Sequence, residues 1–322
     1  MRAQIVRMRF LGPLHIGNRE GSLEGTLHHI PSDTLFSGLC NVYRSVYGKK
    51  ALESLIAGGG FFRLSSAFPY FKDTYFLPRP LNLDLTEYGF DGKKAKRVKY
   101  LDYQLFQKAI KNHLKNSDFS EYCQESVSGC LVPLSYSGRE IIKEVEVPRV
   151  ALDSVSSNSN IYYFNQVVFG PDSGLYCLVR CSDELWAQVK TCFRILGDEG
   201  IGGDRSSGKG LFKVDFPGSM EFPDLENPKS YLILSLYYPS PNEASRLDAE
   251  YTLQTRSGYV YSLDETSIRR KTVTMLAEAS VVYSDTEPAG KLVDITPPGF
   301  NRHRVWRLGV PFCIASMLDK EG

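Results

Sequence analysis

The residues of this chain best suited to chemistry lie in one short run, Gly200-Ile201-Gly202-Gly203-Asp204-Arg205-Ser206-Ser207-Gly208-Lys209-Gly210. Five glycines permit positive φ and close backbone approach, so successive amides can point at the oxygens of a polyanion. Arg205 and Lys209 supply charge, and Ser206 and Ser207 supply further donors. Gly203 to Lys209 also fits the start of a nucleotide-binding P-loop, GxxxxGK. That reading fails on context. A P-loop needs Ser or Thr after the lysine to hold Mg²⁺, and it runs from a strand into a helix. Gly210 follows Lys209 here, a helix pattern precedes the loop and a strand pattern follows it. Polyanion binding and a plain turn-rich connector remain as the two readings of the loop itself.

A second feature is the tandem His28-His29. A histidine can act as general acid or base, with a cation such as Arg19 beside it for developing negative charge. The ordinary alternative is a structural pair of loop histidines. The five histidines and seven cysteines form no CxxC and no zinc spacing, so neither a metal nor any other cofactor is expected, and the cysteines read as reduced buried thiols. Charge appears at Arg2 and Arg7, before an apolar leader could form, and no stretch is long and apolar enough for a membrane-spanning helix. A cytoplasmic protein is expected, with no membrane partner.

These groups must be positioned by a regular framework. Val6, Met8 and Phe10 alternate with Ile5, Arg7 and Arg9, the pattern of a strand with one dry and one basic face. Pro31 and Ser32 open a helix carrying Leu35, Leu39, Val42 and Val46, with the Ser32 hydroxyl as the expected cap and Gly48 as the stop. A short second helix ends at Gly58-Gly59-Gly60, and 61–68 reads as a strand. An amphipathic helix is expected over about 101–115, and strands near 162–169 and 174–180. Ser182 caps a further helix through Leu185, Val189, Cys192 and Leu196, ending at Gly197. Phe212, Val214 and Phe216 then share one face of a closing strand.

The order strand, helix, strand, elaborated middle, strand, helix, strand predicts an α+β chain with a ferredoxin-like βαββαβ unit at 1–217 and an insertion at about 69–160. Residues 218–229, rich in proline and acids, are the expected linker, and 230–322 a second α+β domain.

With the loop, three further segments in order carry a resemblance: Ile30 to Ser37, the run Lys93 to Tyr103, and Pro148-Arg149-Val150. Together they resemble the RAMP proteins, the RNA-binding proteins of CRISPR systems, and within them the subunit of type III-A (Csm-type) interference complexes that caps the 5′ end of the guide RNA. The resemblance implies two ferredoxin-like (RRM-like) domains and a thumb-like hairpin at roughly 149–168. It implies a non-catalytic antiviral-defence subunit that grips the repeat-derived 5′ handle of the guide RNA, between a large polymerase-like signalling subunit and a backbone RAMP subunit. The implied RNA contacts are Gly200, Gly202, Gly203, Arg205, Ser206, Ser207, Gly208 and Lys209, then His15, Arg19, Ser32, Thr34, Ser37 and Arg149. Lys96 and Arg97, in a run of five cations within seven residues, join that set; the ordinary reading of such a run is a solvated face. Backbone subunits of these complexes cleave with a loop aspartate. Residues 21–29 hold Glu24 and no aspartate, which fits a binding subunit; the alternative is a guide-RNA-processing endonuclease using His28 and His29.

The net charge of +1 is a cancellation. Residues 91–115 hold eight basic and two acidic side chains, whereas 116–193 hold five and ten. That excludes a uniformly cationic coat on nucleic acid and leaves room for a local one.

Overall fold

The computed structural model describes residues 1–17, 25–57, 62–125, 127–152, 159–260 and 268–320. Its principal elements are β1 (Arg2–Phe10), α1 (Ser32–Tyr47), α2 (Lys49–Ala57), β2 (Phe68–Phe71), β3 (Thr74–Pro78), β4 (Tyr100–Asp102), α3 (Tyr103–Ile110), β5 (Ile142–Leu152), β6 (Ser159–Phe169), β7 (Ser173–Arg180), α4 (Asp183–Glu199) and β8 (Phe212–Glu221). The C-terminal part adds β9 (Ser230–Ile233), β10 (Leu253–Arg256), β11 (Val273–Leu276), β12 (Val281–Tyr283), β13 (Trp306–Arg307) and β14 (Cys313–Ser316).

One antiparallel sheet, in the order β8-β1-β7-β2-β3-β4, organises the N-terminal part, and Arg63–Leu64 pairs with the other end of β7. The alternation read in β1 puts Val6 and Met8 under α1 and α4, in a core with Leu35, Phe36, Leu39, Val189, Phe193 and Leu196. Its other face is dry as well near the start. Ala3 and Ile5 join a second core with Phe68, Tyr176 and Leu178, and only Arg7 and Arg9 give it the expected basic character. Arg7 forks onto Asp215 of β8 at 2.6–3.1 Å.

Several boundaries move for local reasons. Gly197 does not end α4. The helix runs on to Glu199 and is closed by Gly200, φ 79°, whose N–H donates to Leu196 O at 2.8 Å. Gly197 is small instead because a Cβ there would run into the Phe212 carbonyl of β8. The helix expected over 101–115 is the shorter α3, capped by Asp102 accepting from Leu105 N at 2.8 Å. Residues 218–221, expected in the linker, extend β8. β2, β3 and β4, inside the expected insertion, are strands of the main sheet.

The hairpin β5–β6 pairs residue for residue from Ile142↔Phe169 to Leu152↔Ser159, and so begins earlier than the thumb-like 149–168. The C-terminal part is an antiparallel sheet of Ala249–Glu250, β12, β9 and β14, with β10 and β11 paired beside it. Among its described residues the single α-helix is the four-residue turn Pro241–Ala244. Leu232, Val281 and Ile314 of that sheet, with Leu234 and Phe312 next to its strands, share one core with Ala3, Ile5 and Phe68. All seven cysteines are unbridged.

Candidate functional site

The glycine loop is clamped by the chain segment after β1, which is clamped in turn by the hairpin. Leu14 exchanges backbone hydrogen bonds with Val167 of β6 at 2.7 and 2.8 Å. On its other side Gly203 N donates to His15 O and Gly210 N to Pro13 O, each at 2.9 Å. Close approach explains the glycines: a Cβ on Gly202 (φ 92°) would strike the His15 carbonyl, and one on Gly210 the Ile201 carbonyl. The permissive backbone of this loop therefore admits neighbouring protein backbone. Gly208, φ 75°, is the exception, with open space where a side chain would be.

Charge locks the same junction. Asp204, in the left-handed region at φ 59°, accepts from Arg149 Nη2 at 2.6 Å and from Ser207 Oγ at 3.0 Å. The Lys209 ammonium lies 3.1 Å from its Oδ2. The Arg149 hydrogen bond is the largest influence on the Asp204 carboxyl, which sits at about 2. The Phe164 ring of β6 is packed by the Lys209 ammonium at 3.8 Å, the Arg149 guanidinium at 4.6 Å and the His15 ring at 4.4 Å. His15 donates Nδ1–H to Asn165 O at 2.7 Å, the tautomer that an acceptor-only partner requires. Burial holds its pKa below the usual 6.5, so it is neutral at pH 7.

A groove of about 390 Å³ opens beside this junction. The glycine loop, including Gly200, Gly202, Gly203 and Arg205, forms one wall; His15, Thr34 and Ser37 lie along it, and Thr255, Arg256 and Arg270 close the far side. Beneath the groove lies Asp33, 5 % exposed, accepting from Arg256 Nε and Nη2 at 3.0 Å each and also from Arg307. Burial alone would raise the Asp33 carboxyl, but Arg256 and Arg307 outweigh it and hold it at about 2. Arg256 also donates to Thr34 Oγ1 at 2.9 Å.

Two family models cover the chain between them: the RAMP superfamily over residues 7–213 and the CRISPR Csm4 C-terminal domain over 226–315. A CRISPR system Csm4 protein of Thermococcus onnurineus is 31 % identical over 278 residues, 81 % of this chain and 85 % of that one. The chain belongs to the Csm4 family.

A Csm4 protein of Methanocaldococcus jannaschii is 23 % identical, over 92 % of this chain and 89 % of its own. In three dimensions the fold matches a chain of a Csm3–Csm4 subcomplex of the type III-A interference complex, with TM-score 0.69, 17 % identity and coverage of 96 % and 98 %. It also matches a chain of a Csm1–Csm4 cassette in complex with cA4, with TM-score 0.66, 24 % identity and both chains fully covered. The Csm4 family and its RAMP superfamily thus agree with the resemblance read from the glycine loop.

Of the residues singled out by sequence, this Csm4-family chain brings His15, Thr34, Ser37, Gly200, Gly202, Gly203 and Arg205 together along the groove. Ser206, Ser207 and Gly208 are exposed at the loop tip, whereas Lys209 is only 6 % exposed and, like Arg149, is spent on Asp204 and Phe164. Ser32 does not cap α1. Pro31 occupies that position, and the Ser32 hydroxyl accepts the Leu236 amide at 3.0 Å while its own amide donates to Ser66 Oγ at 2.9 Å. Both the hydroxyl and the amide of Ser32 are therefore spent within the protein.

Lys96 is exposed on the helix Gly92–Arg97 and lines a separate cleft with His29 and Glu278, and Arg97 is exposed beside it. Arg19 lies outside the described residues. His28 and His29 diverge: His28 pairs with Glu144 of β5, and the half-buried His29 lies 3.8 Å from Glu278.

Sequence reading missed Asp33, Asp204, Phe164, Arg256 and Arg270 as site residues. Asp204 stood inside the quoted loop, and an acid among two cations was the available signal. Arg256 meets Asp33 across 223 positions, which no local spacing displays.

Proposed function

We propose that the groove holds the repeat-derived 5′ handle of a guide RNA, and that the chain is a non-catalytic RNA-binding subunit of a type III-A CRISPR interference complex. The observation that carries this reading is the convergence of the glycine loop, the residues after β1 and the first turns of α1 on one groove whose far wall is arginine. A single strand needs such a combination of backbone-lined channel and cations along its phosphates. The order β8-β1-β7-β2 with α1 and α4 on one face supports a ferredoxin-like reading of the N-terminal domain. The similar structures are of Csm4 in complexes with Csm1 and with Csm3. They support a large signalling subunit and a backbone RAMP subunit as the protein partners, and we place the assembly in the cytoplasm.

Arg205→Ala is the direct test, because Arg205 lines the groove, whereas Lys209→Ala would act through the buried junction. The expected result is weaker binding of labelled repeat RNA, with a log–log salt slope shallower by about 0.7. Unchanged affinity and slope count against the groove as the RNA channel. The endonuclease alternative predicts metal-free cleavage of the same RNA that disappears in His28→Ala, His29→Ala. The divergence of the two histidines, each toward a different glutamate, argues for intact RNA in that assay.

A further inference from the structure

Arg270 sits where two cavities meet. On one side it lines the groove; on the other it lines a cleft of about 590 Å³ between α1, α2 and the C-terminal part. Among the described residues Asp33 is the carboxylate that Arg256 and Arg307 share, Arg270 lies within its field, and Glu278 acts on Arg256 as well, so three guanidiniums face two acids. Burial, then Arg307 and Arg256, depress the Arg270 pKa to about 10. Its Nη2 donates to Ser257 O at 3.2 Å, and its Nε is buried without a hydrogen-bond acceptor among the described residues. Excess buried positive charge is costly unless an anion joins it.

The cleft beyond is of different character. Strand β13 points its two residues to opposite sides: Arg307 goes to Asp33, and Trp306 goes into the cleft with Val260, Leu292 and Ile56. Arg44, Lys49 and Arg304 stand among its lining residues. Its volume falls within the roughly 300–1,000 Å³ usual for sites that bury a small flat ligand.

We propose that groove and cleft form one nucleotide subsite, in which a phosphate of the bound single strand sits against Arg270 and Arg256 and the attached base turns into the cleft beside Trp306. A phosphate there joins Asp33 and Glu278 in balancing three guanidiniums, and an apolar cleft next to it suits a base freed from stacking. This rests on the RNA reading of the groove and adds a place where one nucleotide leaves the run of the strand.

The chain has two tryptophans. In full-length protein carrying Trp186→Phe, Trp306 alone reports, and titration with a short single-stranded RNA is expected to quench its emission. Arg270→Gln in that background is expected to weaken RNA binding about tenfold and to remove the quench at matched occupancy, the scale of one lost charge-assisted contact. Trp306 emission unchanged at RNA saturation overturns the base site, and wild-type affinity in Arg270→Gln overturns the phosphate site. In the latter case Arg205→Ala separates the two readings: if it still weakens binding, the groove stands without the subsite, and if it does not, both fall. Should Trp186→Phe fail to fold, RNA carrying 2-aminopurine is used with the unaltered chain; fluorescence indifferent to Arg270→Gln at matched occupancy overturns the proposal equally.

Discussion

Ser32 and Asp33 are neighbours in sequence, and each fastens α1 to a different part of the C-terminal half. Ser32→Ala leaves the buried Leu236 amide without its acceptor, which costs about 1–3 kcal/mol. The expected outcome is a lower denaturation midpoint with an unchanged m-value. Asp33 adds a pH dependence. Its folded pKa of about 2 lies below the usual 3.8, so its stabilisation is fully present above about pH 4 and fades as pH falls toward 2. The gap corresponds to on the order of 2 kcal/mol. Asp33→Asn should flatten that acid limb and, by leaving Arg256 and Arg307 buried without their anion, cost about 3–5 kcal/mol at neutral pH. A limb as steep in the variant as in the parent, measured by acid titration of unfolding, would contradict the assignment.

At the scale of elements, the loop, the residues after β1 and the hairpin act as one layered unit. The glycines within it are not equivalent. Gly202→Ala combines φ 92° with a collision against the His15 carbonyl, and should cost well over 1 kcal/mol and loosen the groove wall. Gly208→Ala carries the positive φ without a collision and should cost about 1 kcal/mol, with RNA affinity nearly retained. Equal losses in thermal melts of the two variants would refute this division. The elements were largely legible, because 2.0 and 3.6 periodicities are local: β1, α1, α4 and β8 all appear near where alternation and caps put them. The stops were less so. Gly197 reads as a terminator by residue type, but its smallness answers to a strand above it in space. The same limit applies to the site. Glycines and cations mark the loop, yet whether Lys209 meets solvent or Phe164 depends on a hairpin some 45 residues earlier in the chain.

Across the whole molecule, the two halves share a core and a set of buried polar fasteners, so they should melt together. Trp186 packs on Phe216 in the N-terminal half, and Trp306 lies in the C-terminal half. Single-tryptophan variants are expected to give coincident unfolding midpoints, and separated midpoints would show two independent domains. Composition allowed two domains; it could not show that Leu232 and Ile5 belong to one core.

The first strand made is also the last of its own sheet to be completed. β1 pairs only with β7 and β8, whose residues begin at 173 and end at 221. At about 5–20 residues per second on the ribosome, the wait for both neighbours is on the order of ten to forty seconds. For most of that time both strand edges lack their native partners, and Val6 and Met8 lack the cover of α4. During synthesis the nascent chain is therefore a client for whatever binds apolar strands near the exit tunnel, and its yield in the cell should respond to translation speed over the middle of the message.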